Sequence, residues 1–351
     1  MCLSTKTKLC LLNTLPRIIT SSTANDYIIY LKEPIINRAI LQRFLKSLSH
    51  LDIKINVQMQ MVKEDINNIQ SRTPLEDEES NKLREAIQEY TEIYNMVAEN
   101  LCYVKPAMFI KIFDKEIIKS HNTHTQYLLF QMAVKYPKLV ITYILSNIQN
   151  NSAYKKIYIS YLGSLLARLK TDRKIVKKSL EHFSNFLKIK IYDSNIKGDN
   201  NNDKHNNSDG DSDRDGRDDK HNNNDGDNNI HNNNKQDNNN HIHNNISKEI
   251  ILMSQTFLYI LCFHRELLLE NEKLIYNIFN SNIIKYMNKN IVNTFIRTCG
   301  NNHGINLNHN INLKEYNSDN YIVDESLCYF PFDPTLIKDI GEKYKKSYRI
   351  F

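Results

Sequence analysis

Glycine, proline and tryptophan are scarce in this sequence. Of its 351 residues, eight are glycine, seven are proline and none is tryptophan. No GxGxxG or GxxxxGKS/T pattern occurs. Such patterns build the glycine-rich loops that hold the phosphates of dinucleotides and nucleoside triphosphates. Their absence excludes the Rossmann-type and P-loop classes of enzyme.

Long apolar runs and cysteine pairs are also absent. The most apolar stretch, Ile251–His264, is interrupted by polar residues and is shorter than the roughly 20 residues that a membrane-spanning helix needs. The six cysteines form no CxxC pair, and no signal-peptide pattern is present. This usage favours a reducing compartment over secretion.

The charge is unevenly distributed along the chain. The formal net charge is +6, yet residues 196–246 hold 11 Asp against six Lys and Arg. The remaining residues therefore have a net charge of about +11. An excess of this size, spread over many helix faces, is compatible with acidic partners, either protein or nucleic acid, and identifies neither.

Apolar residues recur at helical spacing along most of the chain. Ile35–Leu51 has one apolar stripe, His124–Ile148 reads as two helices separated near Pro137, and Ser254–Leu269 is apolar nearly all round. These patterns predict an all-α fold, a HEAT-like α-solenoid of antiparallel helix pairs. Because no crisp repeat period is present, an irregular helical bundle is the alternative.

One segment has the composition of a disordered insertion. Residues 195–246 consist mainly of Asn, Asp, His, Gly and Ser, so burial of apolar side chains cannot offset the entropy of ordering them. We therefore expect one helical domain in two parts, residues 1–194 and 247–351, with the low-complexity segment 195–246 looping out between two helices.

Candidate metal sites are weak. Asp211–Gly216 (DSDRDG) matches the start of an EF-hand loop, but Asn222 stands where the loop needs a bidentate Glu. The patterns HNTH (residues 121–124) and CGNNH (residues 299–303) lack the second pair of ligands that zinc-finger spacing requires. We expect no metal and no cofactor.

Cys262–Glu266 (CFHRE) combines a thiol, an imidazole and a carboxylate. A nucleophilic site would need an exposed thiol and an oxyanion hole. The apolar surroundings instead favour a buried structural Cys262 and a His264-Arg265 pair at a helix end. No residue in the chain is therefore expected to be catalytic.

Ser21, Ser22 and Thr23 form a hydroxyl cluster between two apolar runs. Such clusters are typical of helix caps and turns. A phosphorylation site or a polar docking point is the alternative. The pattern alone favours the cap.

Four stretches, in this order, are recognisable together: residues 112–130 (IFDKEIIKSHNTHTQYLLF), 158–172 (YISYLGSLLARLKTD), 257–267 (FLYILCFHREL) and 329–334 (YFPFDP). They resemble the RNA polymerase I-specific transcription initiation factor family (TIF-IA). The third stretch departs from the family pattern by an exchange of its His and Arg. The matching residues, which the resemblance implies to be mostly structural, include Tyr161, Gly163, Ser164, Leu166, Ala167, Arg168, Lys170, Phe257, Tyr259, Cys262, Phe263, Phe330, Pro331, Phe332, Asp333 and Pro334.

The resemblance implies a non-catalytic HEAT-repeat protein of the nucleus and nucleolus. Members of the family bind RNA polymerase I near its stalk and bridge it to promoter-bound core factor for transcription of ribosomal RNA genes. Direct DNA binding is expected to be weak or absent, and no membrane contact is expected. Compared with the family, the chain is shorter at both ends. A general HEAT-type protein-binding scaffold, in nuclear transport or assembly, is the alternative.

The resemblance also implies a polymerase-facing patch of serine and threonine, which aligns with Ile19–Thr23. This makes Ser21, Ser22 and Thr23 candidates for polymerase docking and for phosphorylation. A phosphate adds up to about two negative charges, which would repel an acidic partner or disturb a packed interface. The prolines that flank the patch in the family are absent here.

The YFPFDP stretch is expected to cap the solenoid. Pro331 and Pro334 stop a helix from propagating. Tyr329, Phe330 and Phe332 can then anchor as an extended segment on the last helix pair, where they would cover the apolar end that a repeat protein otherwise exposes.

Overall fold

The computed structural model describes residues 4, 13–68, 74–120, 122–150, 153–199, 248–299, 331–332 and 338–349. These ranges are almost entirely helical and contain no named strand. The all-α prediction is thus confirmed. The α-helices are α1 Ser21–Ile28, α2 Asn37–Asn68, α3 Pro74–Asn100, α4 Pro106–Phe113, α5 Tyr127–Lys135, α6 Pro137–Gln149, α7 Lys155–Arg168, α8 Arg173–Asp199, α9 Lys248–Phe263, α10 Glu272–Asn280, α11 Lys289–Cys299 and α12 Lys338–Tyr344.

Neighbours in sequence are mostly neighbours in space. Helix α2 packs against α3 and α4, α5 packs against α6, and α6 packs against α7. Helix α9 then packs against α7, α8 and α11. Short connections between contacting helices make them antiparallel, so successive pairs stack as an α-solenoid.

The stripe predicted for Ile35–Leu51 becomes the buried face of α2. Its members Ile40, Phe44, Leu48 and Leu51 are buried on the helix, and Ile36, directly before the helix, is buried as well. The helix begins at Asn37 and continues to Asn68, well beyond the end of the predicted stripe. A residue that the pattern did not single out, Asp52, is buried on the same helix.

The helix break near Pro137 is confirmed. Tyr136 has φ −132° and ψ 58°, which ends α5, and Pro137 occupies the first turn of α6. A first-turn proline loses nothing, because its missing N–H has no partner inside the helix. Both helices bury apolar faces against the same core.

Helices α7 and α9 form the centre of the core. Most residues of each are buried, as the all-round apolar pattern of the α9 segment predicts. Small residues on α7 allow close approach of neighbouring helices. The buried small residues of α7 are Ser160, Gly163, Ser164 and Ala167.

Helix α8 enters the range that the sequence assigns to the insertion. Helix α8 runs to Asp199, five residues into the range assigned to the insertion. Residues 200–246 lie outside the described part of the chain, so the prediction of disorder stays a prediction. Helices α8 and α9, on either side of the segment, are in contact with each other.

Phe332 of the YFPFDP stretch does not lie on the last helix pair, where the sequence analysis expects it. Phe332 is fully buried and contacts the rings of Tyr127, Phe130 and Tyr161 at centroid distances of 5.4–5.8 Å. It therefore packs on α5 and α7, in the middle of the stack, instead of on the last helix pair. The physical reason is the cluster of tyrosine and phenylalanine rings that α5 and α7 present together.

Pro331 is also buried beside Phe332. Tyr329, Phe330, Asp333 and Pro334 lie outside the described residues.

Residues 338–349 cross several helices. Tyr344 lies with its hydroxyl 2.7 Å from that of Tyr94 on α3 and donates to Gln131 on α5. Tyr348 pairs with Leu169 in an antiparallel bridge and donates from its hydroxyl to the Phe332 carbonyl. This C-terminal segment therefore ties α3, α5 and α7 together.

Candidate functional site

The hydroxyl cluster forms the start of α1. Thr20 is the N-cap residue, and its backbone N–H donates to Thr23 Oγ1 at 3.2 Å. Its own hydroxyl lies 2.9 Å from Ser22 Oγ. The interpretation as a helix cap therefore accounts for Thr20 and Thr23. Upstream, the Ile19 N–H donates to Ser47 Oγ on α2 at 2.7 Å, which fixes the segment to the core.

The three candidate hydroxyls differ in their surroundings. Ser22 is exposed, whereas Ser21 and Thr23 are half-buried. The Ser21 N–H donates to Glu89 Oε1 at 3.3 Å, so a phosphate on Ser21 would lie close to a carboxylate. Ser22 lies in the first turn of a helix, where the dipole favours negative charge. A negative charge at Ser22 would therefore disturb the fold less than one at Ser21.

The motif residues of α7 and α9 are mainly core residues. Tyr161, Ser164, Leu166, Ala167, Phe257 and Cys262 are at most 3% exposed, and Gly163 is buried. Lys170 is exposed, and Arg168, Tyr259 and Phe263 are half-buried. The buried members of this set therefore contribute to the core.

Arg168 connects two of the recognisable stretches with the C-terminal segment. Its Nε donates to the Tyr259 hydroxyl at 2.9 Å, and its guanidinium carbon lies 4.7 Å from the Phe263 ring centroid and 5.3 Å from that of Tyr348. Its carbonyl accepts from Arg349 N–H at 2.6 Å. Cation–π contacts to several rings hold a guanidinium in one orientation.

The residues of CFHRE do not form a nucleophilic site. Cys262 is 3% exposed on α9. His264 Nε2 donates to the Leu166 carbonyl at 2.7 Å, and its Nδ1 lies 3.4 Å from Glu266 Oε1. The Nε2–H group is thus engaged by the Leu166 carbonyl, and the Cys262 thiol is nearly enclosed.

Burial lowers the pKa of the His264 imidazole below its ordinary value, and the nearby Arg349 charge lowers it further, against the opposing hydrogen bonds to Leu166 and Glu266. The imidazole is therefore neutral at neutral pH. Its neutral Nε2–H tautomer is the form that the Leu166 carbonyl selects.

A buried polar network was missed by sequence reasoning. Asp52 on α2 is fully buried and accepts from the backbone N–H groups of Thr123, His124 and Thr125 at 3.2, 2.9 and 2.8 Å. It also accepts from Thr125 Oγ1 and His124 Nδ1, each at 2.9 Å. The Tyr90 hydroxyl on α3 lies 3.1 Å from Thr125 Oγ1.

The network positions the loop that leads into α5. Burial by itself would raise the pKa of the Asp52 carboxyl, but the hydrogen bond and charge of His124, with the backbone N–H groups, outweigh burial and hold the pKa below its ordinary value. Asp52 is thus an ionised, fully hydrogen-bonded anchor. Since its side chain is enclosed, its role is structural.

The remaining candidate metal sites fall largely outside the described residues, which exclude Asp211–Gly216, His121 and His303. Among the side chains that are described, no group of three His, Cys, Asp or Glu could hold a metal ion. No described helix combines the length and apolarity needed to cross a membrane.

No protein-family model matches the chain, and no curated protein matches it significantly. Among solved structures, the chain is similar to the crystal structure of RNA polymerase I transcription initiation factor Rrn3. The TM-score is 0.62 at 15% sequence identity, over 97% of this chain and 69% of that one. A likeness at this identity shows that the two share a fold.

Proposed function

We propose that this protein is an RNA polymerase I-specific transcription initiation factor. In this role it is a non-catalytic adaptor that binds RNA polymerase I and bridges it to promoter-bound core factor at ribosomal RNA genes. The observation that carries the proposal is the shared fold with an RNA polymerase I initiation factor over 97% of the chain. Its place of action is then the nucleus, and within it the nucleolus.

The meeting of the recognisable stretches in space supports the proposal. Arg168 contacts Tyr259 and Phe263 of the next stretch, and Tyr161 contacts Phe332 of the last. Stretches that are far apart in sequence thus pack into one core. This packing is a structural reason why they occur together in one chain. Because neither a fold nor a core determines partners by itself, the polymerase contact needs a direct test.

The test is binding of purified RNA polymerase I to the immobilised full chain, with purified RNA polymerase II as the specificity control. We expect retention of polymerase I only. Equal retention of both polymerases, or of neither, would contradict the proposal. An affinity purification dominated by nuclear transport factors would instead favour the general scaffold.

We further propose that the exposed hydroxyl of Ser22 belongs to the polymerase-docking surface. Ser22→Asp places a negative charge in the first turn of α1, where the helix dipole accommodates it, so helicity by circular dichroism should not change. Polymerase binding should weaken by about tenfold or more, the effect of about 1.4 kcal/mol. Asn185→Asp, which adds the same charge at an exposed position of α8, is the matched control.

Undiminished binding by Ser22→Asp would show that α1 is not part of the docking surface. The adaptor proposal would survive that result as long as polymerase I is retained. A loss of binding by both Ser22→Asp and Asn185→Asp would indicate a general charge effect instead of a local one.

A further inference from the structure

Positive charge is concentrated on two segments that meet in the fold. Residues 170–178 and 343–349 together hold nine Lys and Arg against one Asp. Their net charge of +8 exceeds the +6 of the whole chain. The two segments form a surface that we term the basic edge.

The backbone holds the two segments of the basic edge side by side. The Lys170 N–H donates to the Ser347 carbonyl at 3.0 Å, next to the bridge between Leu169 and Tyr348. Lys170 Nζ donates to the Lys346 carbonyl at 3.1 Å. Since like charges repel one another, gathering them on one surface works against the stability of the fold.

The start of α8 adds a second unfavourable feature. The helix dipole favours acidic residues in a first turn, yet the first turn of α8 contains none. The helix begins with Arg173 and Lys174, and Lys177 and Lys178 follow in the next turn, all four exposed. Proteins retain such locally unfavourable choices mainly at functional sites.

Two cations of the basic edge pair with carboxylates of the chain. Lys177 Nζ lies 2.9 Å from Glu270 Oε2, and Lys345 Nζ lies 3.3 Å from Glu342 Oε2. The four side chains are 43–62% exposed, and ion pairs this exposed contribute little to stability. A partner's carboxylates can therefore replace Glu270 and Glu342 at little cost.

The connection between α5 and α6 lies at the same edge of the stack. Helices α5, α6 and α7 follow one another through short connections and pack in sequence, so they alternate in direction. The α5–α6 turn and the α7–α8 turn are therefore on the same side. Residues 134–139 expose three apolar side chains there, Val134 (42%), Tyr136 (37%) and Leu139 (41%), between Lys135 and Lys138.

We propose that the basic edge and the α5–α6 turn together bind an acidic, partly apolar segment of a partner protein. The carboxylates of the segment face the cations of α8 and of residues 343–349, and its apolar side chains contact Val134 and Leu139. Complementary charge speeds association and fixes orientation, while the apolar contacts add affinity. Binding of such a segment does not depend on polymerase I as the partner.

A protein segment fits this surface better than a nucleic acid does. Exposed aliphatic side chains such as Val134 and Leu139 find apolar partners at protein interfaces, whereas a phosphate backbone offers them none. Single-stranded nucleic acids stack their bases on aromatic faces. The exposed ring of Tyr136 instead has Lys135 Nζ over it, 5.5 Å from its centroid.

The test is fluorescence anisotropy with the purified full chain and labelled synthetic peptides. The probes are mixed dodecapeptides of Asp and Glu with interspersed Leu or Phe, a purely acidic dodecapeptide, and a mixed peptide with every acid replaced by its amide. A labelled DNA duplex is the nucleic-acid probe. We expect binding of at least one mixed peptide, weaker binding of the purely acidic peptide, and no binding of the amide peptide.

Two variants locate the binding to this surface. Lys174→Glu should weaken the mixed peptides by about three- to tenfold, because it replaces an attraction by a repulsion. Leu139→Ser should weaken the mixed peptides and leave the purely acidic peptide unchanged. Lys54→Glu, at an exposed position of α2, is the control for charge reversal and should bind as the unmodified chain does.

The stability of Lys174→Glu separates a functional from a structural effect. The substitution relieves repulsion and places an acid in the first turn of α8, where the dipole favours it. Its melting temperature should therefore rise slightly while its peptide binding falls. A lower melting temperature would contradict the inference that the basic edge works against the stability of the fold.

Several outcomes would overturn the proposal. These are the absence of binding by every mixed peptide, equal binding by the unmodified chain and Lys174→Glu, and equal affinity for the mixed and the purely acidic peptides. Duplex binding that depends on Lys174, in the absence of peptide binding, would show that the surface serves nucleic acid instead. Retention of polymerase I is measured separately, so a failure of peptide binding leaves the adaptor proposal standing.

Discussion

Replacing Asp52 by alanine should lower the free energy of unfolding by about 3–5 kcal/mol, the order of the cost of taking a buried charged group away from its hydrogen-bonding partners. The carboxylate accepts five hydrogen bonds of 2.8–3.2 Å from Thr123, His124 and Thr125. At about 1.5–3 kcal/mol each, five independent bonds to a charged group would equal the whole stability of a typical domain.

The loss of about 3–5 kcal/mol is a better expectation than the sum over five hydrogen bonds, for two reasons. Deleting Asp52 also removes the cost of burying its charge, and bonds to one acceptor are not additive. What remains is the cost of leaving buried N–H groups without acceptors. The loop into α5 should loosen first, because the N–H groups of residues 123–125 are those that lose their acceptor.

The assay is urea unfolding followed by circular dichroism. Asp52→Asn keeps an acceptor oxygen and should cost less than Asp52→Ala. Asp26→Ala, at an exposed position of α1, should lie within about 0.5 kcal/mol of the unmodified chain. A loss below about 1 kcal/mol for Asp52→Ala would refute the reasoning, since it would show that water or another group satisfies the freed donors.

The same anchor has a pH signature. The pKa of Asp52 in the folded chain lies below its ordinary value of 3.8, so the folded state holds this proton less tightly than the unfolded state does. Its stabilising contribution is therefore complete above pH 3.8 and is lost as the pH falls below that value, toward the folded pKa. Asp52→Asn should lack this component of acid unfolding.

Two further predictions concern the C-terminal half of the chain. Phe332→Ala should lower the free energy of unfolding in urea by about 3–5 kcal/mol, because it removes a fully buried ring from the cluster on α5 and α7. The control is Leu269→Ala, which truncates a side chain that is 66% exposed. An equal loss for the two variants would contradict the role of Phe332 in the core. Since the folded-state pKa of His264 lies below 6.5, the unfolded state takes up the proton first, and stability should fall as the pH drops below 6.5 toward the folded pKa. His264→Gln should reduce that dependence, and an unchanged pH profile of unfolding would show that His264 is not its source.

Local features of the fold could be predicted from the sequence. Pro137 cannot continue α5, so the helix boundary followed from one residue. The apolar stripe of α2 followed from helical spacing, because burial and periodicity have the same cause. The end of α2 was not predicted, because the predicted stripe stopped at Leu51, whereas Ile55 continues it and the helix runs to Asn68.

Long-range features could not be predicted in the same way. Asp52 and His124 are 72 residues apart, and nothing in local spacing pairs them. One signal was present: Asp52 falls between Leu48 and Ile55 on the apolar face of α2, and a polar residue there must find partners when buried. No local pattern indicated where Phe332 packs, because the residues that it contacts, Tyr127, Phe130 and Tyr161, are far away in sequence.

For the candidate docking residues, too, the local features could be predicted from the sequence and the long-range contacts could not. The interpretation of the hydroxyl cluster as a helix cap needed only local chemistry, and Thr20 and Thr23 agree with it. The difference between Ser21 and Ser22 depends on Glu89 of α3, 68 residues away from Ser21. Sequence patterns could therefore identify the hydroxyl cluster as a candidate site. They could not show how the surroundings of Ser21 and Ser22 differ.

The contact between Tyr94 and Tyr344 joins residues 250 positions apart. During synthesis the N-terminal helices leave the ribosome long before residues 331–349 exist. Until then the rings of Tyr127 and Phe130 lack the cover that Phe332 and Tyr344 supply. Pairings of such separation form slowly and leave apolar surface open to aggregation. The nascent chain is consequently expected to depend on chaperones until α12 has docked.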